Sequence, residues 1–266
     1  MFTIGLPITP LTQMKNSSYL LPLLLLLLFA TPTSVDAQDS TIQALLITGG
    51  GWHDYEAQKK LLTQGINERL GNQIEWTVVH EGEGSPSHKV SILKKQNWAD
   101  QYDVVVHNTG FARMRDGDFL AQFVKEHKGT PAVLIHAAIQ SYRYARPADP
   151  WFKFMGYQSM VSEAESRPEI ENIAPENSIM DDLPKTFSIP EDEVFIAEKI
   201  WGDITVLARA YGEETGEYQP ITWTHEVDST QTRVFATTLG HHNEMYEQDE
   251  FLTMVANGIL WAVERL

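Results

Sequence analysis

The chain contains no cysteine. Disulfides, thiolate metal ligands and a thiol nucleophile are thereby excluded, so stability must come from packing, and any metal must be held by nitrogen or oxygen. Basic residues are scarce too: 20 Lys and Arg stand against 36 Asp and Glu, a formal net charge of −16. A surface this acidic lacks the basic patches that nucleic acids and anionic membranes need, which argues against both as partners. There is no phosphate-loop lysine and no G-x-G-x-x-G dinucleotide fingerprint, and no H-E-x-x-H or H-x-x-E-H spacing pairs two metal-binding histidines on a helix. The sequence has no internal repeat.

Long apolar runs are likewise missing, with one exception. Residues 20–29 are nearly all leucine, preceded by Lys15 and followed by Val35-Asp36-Ala37. A basic start, a short apolar stretch and a small-residue cleavage site describe a secretory signal peptide. The run falls short of the roughly 20 apolar residues of a spanning helix, so an uncleaved anchor is the weaker alternative. The first 13 residues do not look like a signal n-region, which makes Met14 a candidate start. On this reading residues 1–37 are removed and residues 38–266 form one periplasmic or secreted domain, free of the membrane after cleavage.

Within that domain, four short runs with strand character each lead into a polar cluster. Ala44-Leu45-Leu46-Ile47-Thr48 leads into Gly49-Gly50-Gly51-Trp52-His53-Asp54, and Val104-Val105-Val106 into His107-Asn108-Thr109-Gly110. Ala132-Val133-Leu134-Ile135 leads into His136-Ala137-Ala138, and Val234-Phe235-Ala236-Thr237-Thr238 into Leu239-Gly240-His241-His242. Ligand crevices of open α/β sheets lie beyond the carboxyl ends of parallel strands, so these clusters are predicted to converge. Helical spacing over residues 56–70 and 116–127, alternation over 74–80, and a closing helix over 255–266 complete a strand–helix alternation. The predicted fold is α/β: a single domain with a mainly parallel central sheet and helices on both faces, as in flavodoxin-like proteins. Residues 100–107, 194–196, 205–211 and 220–225 are read as further strands, and the acidic, proline-punctuated residues 162–193 as loop.

Several segments together resemble the ThuA-like family, trehalose-utilisation proteins whose fold is similar to class I glutamine amidotransferases. They include Leu46-Ile47-Thr48-Gly49-Gly50 with His53, Val133-Leu134-Ile135-His136-Ala137-Ala138, Asp192-Glu193, Pro220-Ile221-Thr222-Trp223, Thr238-Leu239-Gly240-His241 and Gly258-Ile259-Leu260-Trp261-Ala262. Their order and spacing carry the resemblance across residues 44–262. It implies a carbohydrate as the small-molecule partner and a site role for His241 and Glu193. Two departures stand out: Asn177-Ser178 replaces the family's His-Pro pair, and residues 159–168 lack the histidine the resemblance would place there.

His136 takes the position at which the related amidotransferases carry their cysteine, but Ala137 and Ala138 follow, so no nucleophile stands at the turn. Thiol amidotransferase chemistry is excluded. The candidate catalytic residues are His53, His136, His241 and Glu193, and the first three are also a candidate divalent metal set, zinc for example, with an open position for water. Asp54 reads as a helix cap. Gly50, Gly51, Trp52, Asn108, Gln140, Arg143 and His242 are the candidate substrate-binding residues. An acidic Asp192-Glu193 pair serves acid/base work only if its environments separate the two pKa values. Two functions remain open: an exported enzyme acting on a sugar or keto-sugar by hydrolysis, isomerisation or elimination, and a non-catalytic sugar-binding protein. Assembly into a homo-oligomer stays open.

Overall fold

Strand β1 (Ile42–Gly50) shows why the chain builds a covered sheet: every residue in it except Gln43 is buried. Ala44 and Leu46 enter one hydrophobic core while Leu45 and Ile47 enter a second on the opposite face. A strand apolar on both sides needs a layer on each face. The computed structural model describes residues 40–266 except 128 and 228, so the expected signal segment lies outside the described residues.

Helix α1 (Tyr55–Arg69) follows, started by Asp54, whose Oδ1 accepts from Ala57 N at 3.0 Å. Then come β2 (Ile74–His80), β3 (Val104–Gly110), α2 (Gly117–Lys125), β4 (Ala132–Ile135), α3 (Ala137–Gln140) and α4 (Asp149–Met155). The second half carries β5 (Tyr157–Gln158), β6 (Glu169–Asn172), β7 (Thr186–Ser188), β8 (Lys199–Ile200), β9 (Ile204–Gly212), β10 (Glu217–Val227), β11 (Thr232–Thr237) and α5 (Asp249–Ala262). Among the described residues the main sheet has nine strands in the order β2-β1-β3-β4-β11-β10-β9-β6-β7. The half from β2 to β11 is parallel, and the half from β11 to β7 is antiparallel. Helices α1 and α5 share the core that holds Leu62, Ile66, Val255 and Ile259; α2 and α4 cover the other, with Leu120, Phe123 and Trp151. The parallel half sends the carboxyl ends of β1, β3, β4 and β11 to one edge, as the four polar clusters require.

Several boundaries differ from the sequence reading. Strand β3 starts at Val104 and runs on through Gly110, held in register by Ile47↔His107, Thr48↔Asn108 and Gly50↔Gly110. His107 and Asn108 therefore lie inside a doubly covered strand, not beyond its end. Residues 162–193 contribute β6, which pairs with β9, and β7, which pairs with β6, so the sheet is extended by two strands. Residues 194–196 form no strand; a single bridge joins Ser162 to Phe195. Helix α5 begins at Asp249, six residues earlier than its apolar spacing suggested.

Burial assigns His107 a structural role. Its Nε2 lies 3.2 Å from His127 Nε2, and His127 Nδ1 donates to Thr130 O at 3.3 Å. His127 Nε2 is thus the acceptor and His107 Nε2 carries the proton, leaving His107 Nδ1 buried without a partner. Trp98, Trp151 and Phe154 pack around the two rings. Desolvation holds His107 well below the ordinary imidazole range and His127 at about 4, so both are neutral in the fold. The unfolded chain takes up protons below about pH 6.5 and the native pair does not, so stability falls as pH drops from there toward 4. The pair's share is up to about 1.4 kcal/mol per pH unit per ring. Denaturation at pH 7 and pH 5 should show that fall in the natural protein and a shallower one in His107→Leu/His127→Leu. Equal slopes would contradict the assignment.

Candidate functional site

At the end of β4 the chain turns sharply into α3, and the corner residue is His136, with φ 47° and ψ −111°. A non-glycine residue in this region is strained, at roughly 1–3 kcal/mol, and persists only where its surroundings fix it. Here they do: His136 N donates to Thr237 O at 2.8 Å and its ring Nδ1 donates to Thr238 O at 2.6 Å. The imidazole is thereby locked as the Nδ1–H tautomer, which leaves its Nε2 an acceptor.

The same stretch of backbone after β11 fixes the other two rings. His53 Nδ1 donates to His241 O at 3.1 Å, which makes it a second Nδ1–H tautomer. His241 belongs to the stretch itself, and its Nδ1 lies 3.2 Å from His136 Nε2. The ring centroids are 4.8 Å (His53–His136), 4.9 Å (His53–His241) and 5.1 Å (His136–His241) apart, and each pair is nearly perpendicular. The three strand-end histidines named from the sequence therefore meet. Asp192, fully buried, draws the stretch in: its Oδ2 accepts from Gly240 N at 2.9 Å and His241 N at 3.3 Å. Gln58 Nε2 donates to Gly240 O and His241 O from the other side.

Two carboxylates bracket His241. Glu193 Oε2 lies 3.3 Å from its Nδ1 and 3.7 Å from His136 Nε2, while Glu165 Oε1 lies 3.2 Å from its Nε2. Both nitrogens of His241 thus face acceptors. Partial burial disfavours its charge, but the hydrogen bond and charge of Glu193, with Glu165 and Asp192 nearby, raise its pKa above the ordinary value. Desolvation pushes His136 down to about 4, and desolvation with the two neighbouring imidazoles pushes His53 down to about 3. The adjacent acids are separated as acid/base work demands. Burial lifts Asp192 to about 6; Glu193, although burial also acts to raise it, is held at about 2 by His241, His136 and the Ser162 hydroxyl.

His53, His136, His241 and Glu193 line a cavity of about 380 Å³ with Trp52, Gly110, Gln140, Arg143, Met160, Val161, Ser162 and Phe195 also in its walls. Of the sequence-named binding residues, Trp52, Gln140 and Arg143 reach it. Gln140 and Arg143 also brace the wall, with Gln140 Nε2 donating to Ser159 Oγ and Arg143 Nη1 to Met160 O and Gln140 Oε1. Gly50 and Gly51 do not line it. Gly50 has φ 120°, and a Cβ there would stand 2.6 Å from the Gly110 backbone, so its role is the close approach of β1 to β3. Asn108 is buried on the α1 side and donates to Gln58 Oε1 at 3.2 Å, one shell behind the histidines. His242 turns outward to Glu165 Oε2 at 3.0 Å. The sequence reading missed Glu165, Ser162 and the anchoring role of Asp192. Glu165 lies within residues 159–168, where a histidine was sought; the chain supplies a carboxylate there instead.

One nitrogen from each of His53, His136 and His241 lies within 4.8 Å of the others, and Glu165, His241 and His242 form a second such group. The first fits a cation better. Histidine ligands characteristically give their second ring N–H to a carbonyl or carboxylate, as His53 and His136 do. The 3.2 Å between His136 Nε2 and His241 Nδ1 also matches the about 3.3 Å that tetrahedral zinc sets between nitrogen ligands.

The family model ThuA, described as trehalose utilisation, matches residues 43–262. Comparison with curated proteins finds no match. A ThuA-like protein from Parabacteroides merdae superposes with a TM-score of 0.66 at 18% identity, over 84% of this chain and 90% of its own. Another from Bacteroides uniformis gives 0.58 at 14%, over 84% and 91%, and a cytoplasmic protein from Salmonella typhimurium gives 0.52 at 12%, over 83% and 99%. At these identities the likeness is one of fold.

Gly240 tests the shared stretch of backbone. It has φ 125°, and a Cβ would meet Tyr246 Oη at 2.9 Å, Ile135 Cγ2 at 3.1 Å and His136 Cβ at 3.2 Å. Gly240→Ala should therefore cost at least about 1–3 kcal/mol in chemical denaturation. A variant as stable as the natural chain would show that residues 238–241 are not held as described.

Proposed function

The chain belongs to the ThuA family, and from that premise we propose an enzyme acting on a sugar or keto-sugar at a divalent cation, such as zinc, held by His53, His136 and His241. One observation carries the reading. A buried imidazole, His136, and a partly buried one, His53, both neutral, give their Nδ1–H groups to backbone carbonyls, and one nitrogen of each lies within 4.8 Å of the other and of one on His241, in the wall of a cavity. When bound, such a cation would polarise a carbonyl or lower the pKa of a bound water.

The remaining groups suit a polar substrate with apolar faces. Glu193, ionised and open to the cavity, is placed to receive a proton from substrate. Ser162 Oγ donates to it at 2.9 Å and holds its orientation. Gln140 and Arg143 offer polar edges, while Trp52, Val161, Met160 and Phe195 offer apolar surface for the C–H faces of a sugar. Export belongs to the same proposal, supported by the leucine-rich residues 20–29 and the Val35-Asp36-Ala37 site.

A second reading has its own support: His241, raised in pKa between Glu193 and Glu165, is poised as a general acid with no metal present. Metal analysis of the untagged full chain, paired with turnover of trehalose and its keto derivative, separates the two. The proposal expects about one zinc per chain, with metal and turnover both lost in His136→Ala. Turnover without metal, falling ~10²–10⁴-fold in His241→Ala, would replace it with the acid/base reading. Sugar binding with neither metal nor turnover would make the protein a binder.

A further inference from the structure

Trp52 is the least economical residue in the site. It has φ 79°, a conformation that bulky side chains rarely adopt, and its side chain is not buried in return: it is 58% exposed. The Arg113 guanidinium lies 5.6 Å from the Trp52 ring centroid. Strain that packing does not offset points to a task at the surface. Gly49 and Gly50, at φ 122° and 120°, set the turn that delivers it. In the same cavity wall stands Val161, 51% exposed. The cavity wall thus combines three imidazoles and Glu193 with two exposed apolar side chains.

We infer that Trp52 and Val161 form an outer subsite for the second ring of a disaccharide-type glycoside, whose first ring lies against His53, His136 and Glu193. The inference rests on the carbohydrate reading above and adds the size of the substrate to it. Three observations select a sugar ring as occupant. The indole is rigid and amphipathic, suited to the C–H face of a pyranose while leaving hydroxyls in water. Cations stand nearby, with the Arg113 guanidinium 5.6 Å from the indole centroid and Arg143 in the cavity wall, and a purely apolar aglycone would desolvate them without compensation. The cavity, at about 380 Å³, lies within the range for small-molecule pockets, and Trp52 stands in its wall while largely exposed, so a ligand that fills the cavity reaches the indole.

Calorimetric titration of the zinc-supplemented full chain with trehalose and with methyl α-glucoside tests this. The natural protein should bind the two-ring sugar more tightly. Trp52→Ala should weaken trehalose binding about tenfold, the value of covering one indole face, and methyl glucoside binding less than twofold. Trp52→Phe should restore most of the loss. Equal weakening of both sugars, or of neither, with an unchanged melting temperature, would overturn the subsite while leaving the carbohydrate reading in place. If the natural protein bound neither sugar, that reading would itself fail, and the subsite with it.

Discussion

Four consecutive residues after β11 hold the site together. Thr238 O fixes the tautomer of His136, His241 O fixes that of His53, and His241 supplies the third ring. These carbonyls are in place because Asp192 accepts from the N–H groups of Gly240 and His241 and Gln58 donates to the carbonyls from behind. Asn108 in turn donates to Gln58. Side chains from β3, α1 and the 192–193 loop thus act on one another through a short piece of main chain. Preorganisation of this kind removes rotamer freedom before a ligand arrives. It also explains the strained His136: the elbow is over-determined from both sides.

The same arrangement sorts neighbouring acids and imidazoles into different protonation states. Asp192 points inward and Glu193 toward the cavity, so two adjacent carboxylates end about four pKa units apart, near 6 and near 2. His53 and His136 are kept neutral by burial, whereas His241, with a carboxylate at each nitrogen, favours its charged form. Charge in this wall is set by geometry and not by residue type. An overall acidic chain thereby presents two neutral imidazoles beside a third that favours its charge.

Much of this was legible in the sequence, because the signals were short-range. A β-branched run on a doubly covered strand is apolar on both sides, and its carboxyl end is marked by an abrupt polar cluster, which is how His53, His136 and His241 were found. Asp54 read as a cap for the same local reason. What the sequence hid depends on long-range register. Strand β3 continues through its own polar cluster because it pairs with β1 as far as Gly110, and that carries His107 into one core and Asn108 to the other face. The antiparallel strands β6 and β7 were masked by their acidic, proline-rich surroundings. Glu165 was invisible because nothing local distinguishes it from the other acids; only the fold brings it to His241.

The claim on which the rest stands is the tautomeric state of two rings, and long-range ¹H–¹⁵N correlation of the histidine side chains reads it directly. At pH 7, without added metal, His53 and His136 should both appear as neutral Nδ1–H tautomers. Their unprotonated Nε2 signals, together with the Nδ1 signal of His241, should be the ones that move on titration with zinc. If either His53 or His136 is found as the Nε2–H tautomer or as imidazolium, or if zinc shifts other histidines and leaves these three in place, the convergence of lone pairs does not exist in solution and the cation centre falls with it.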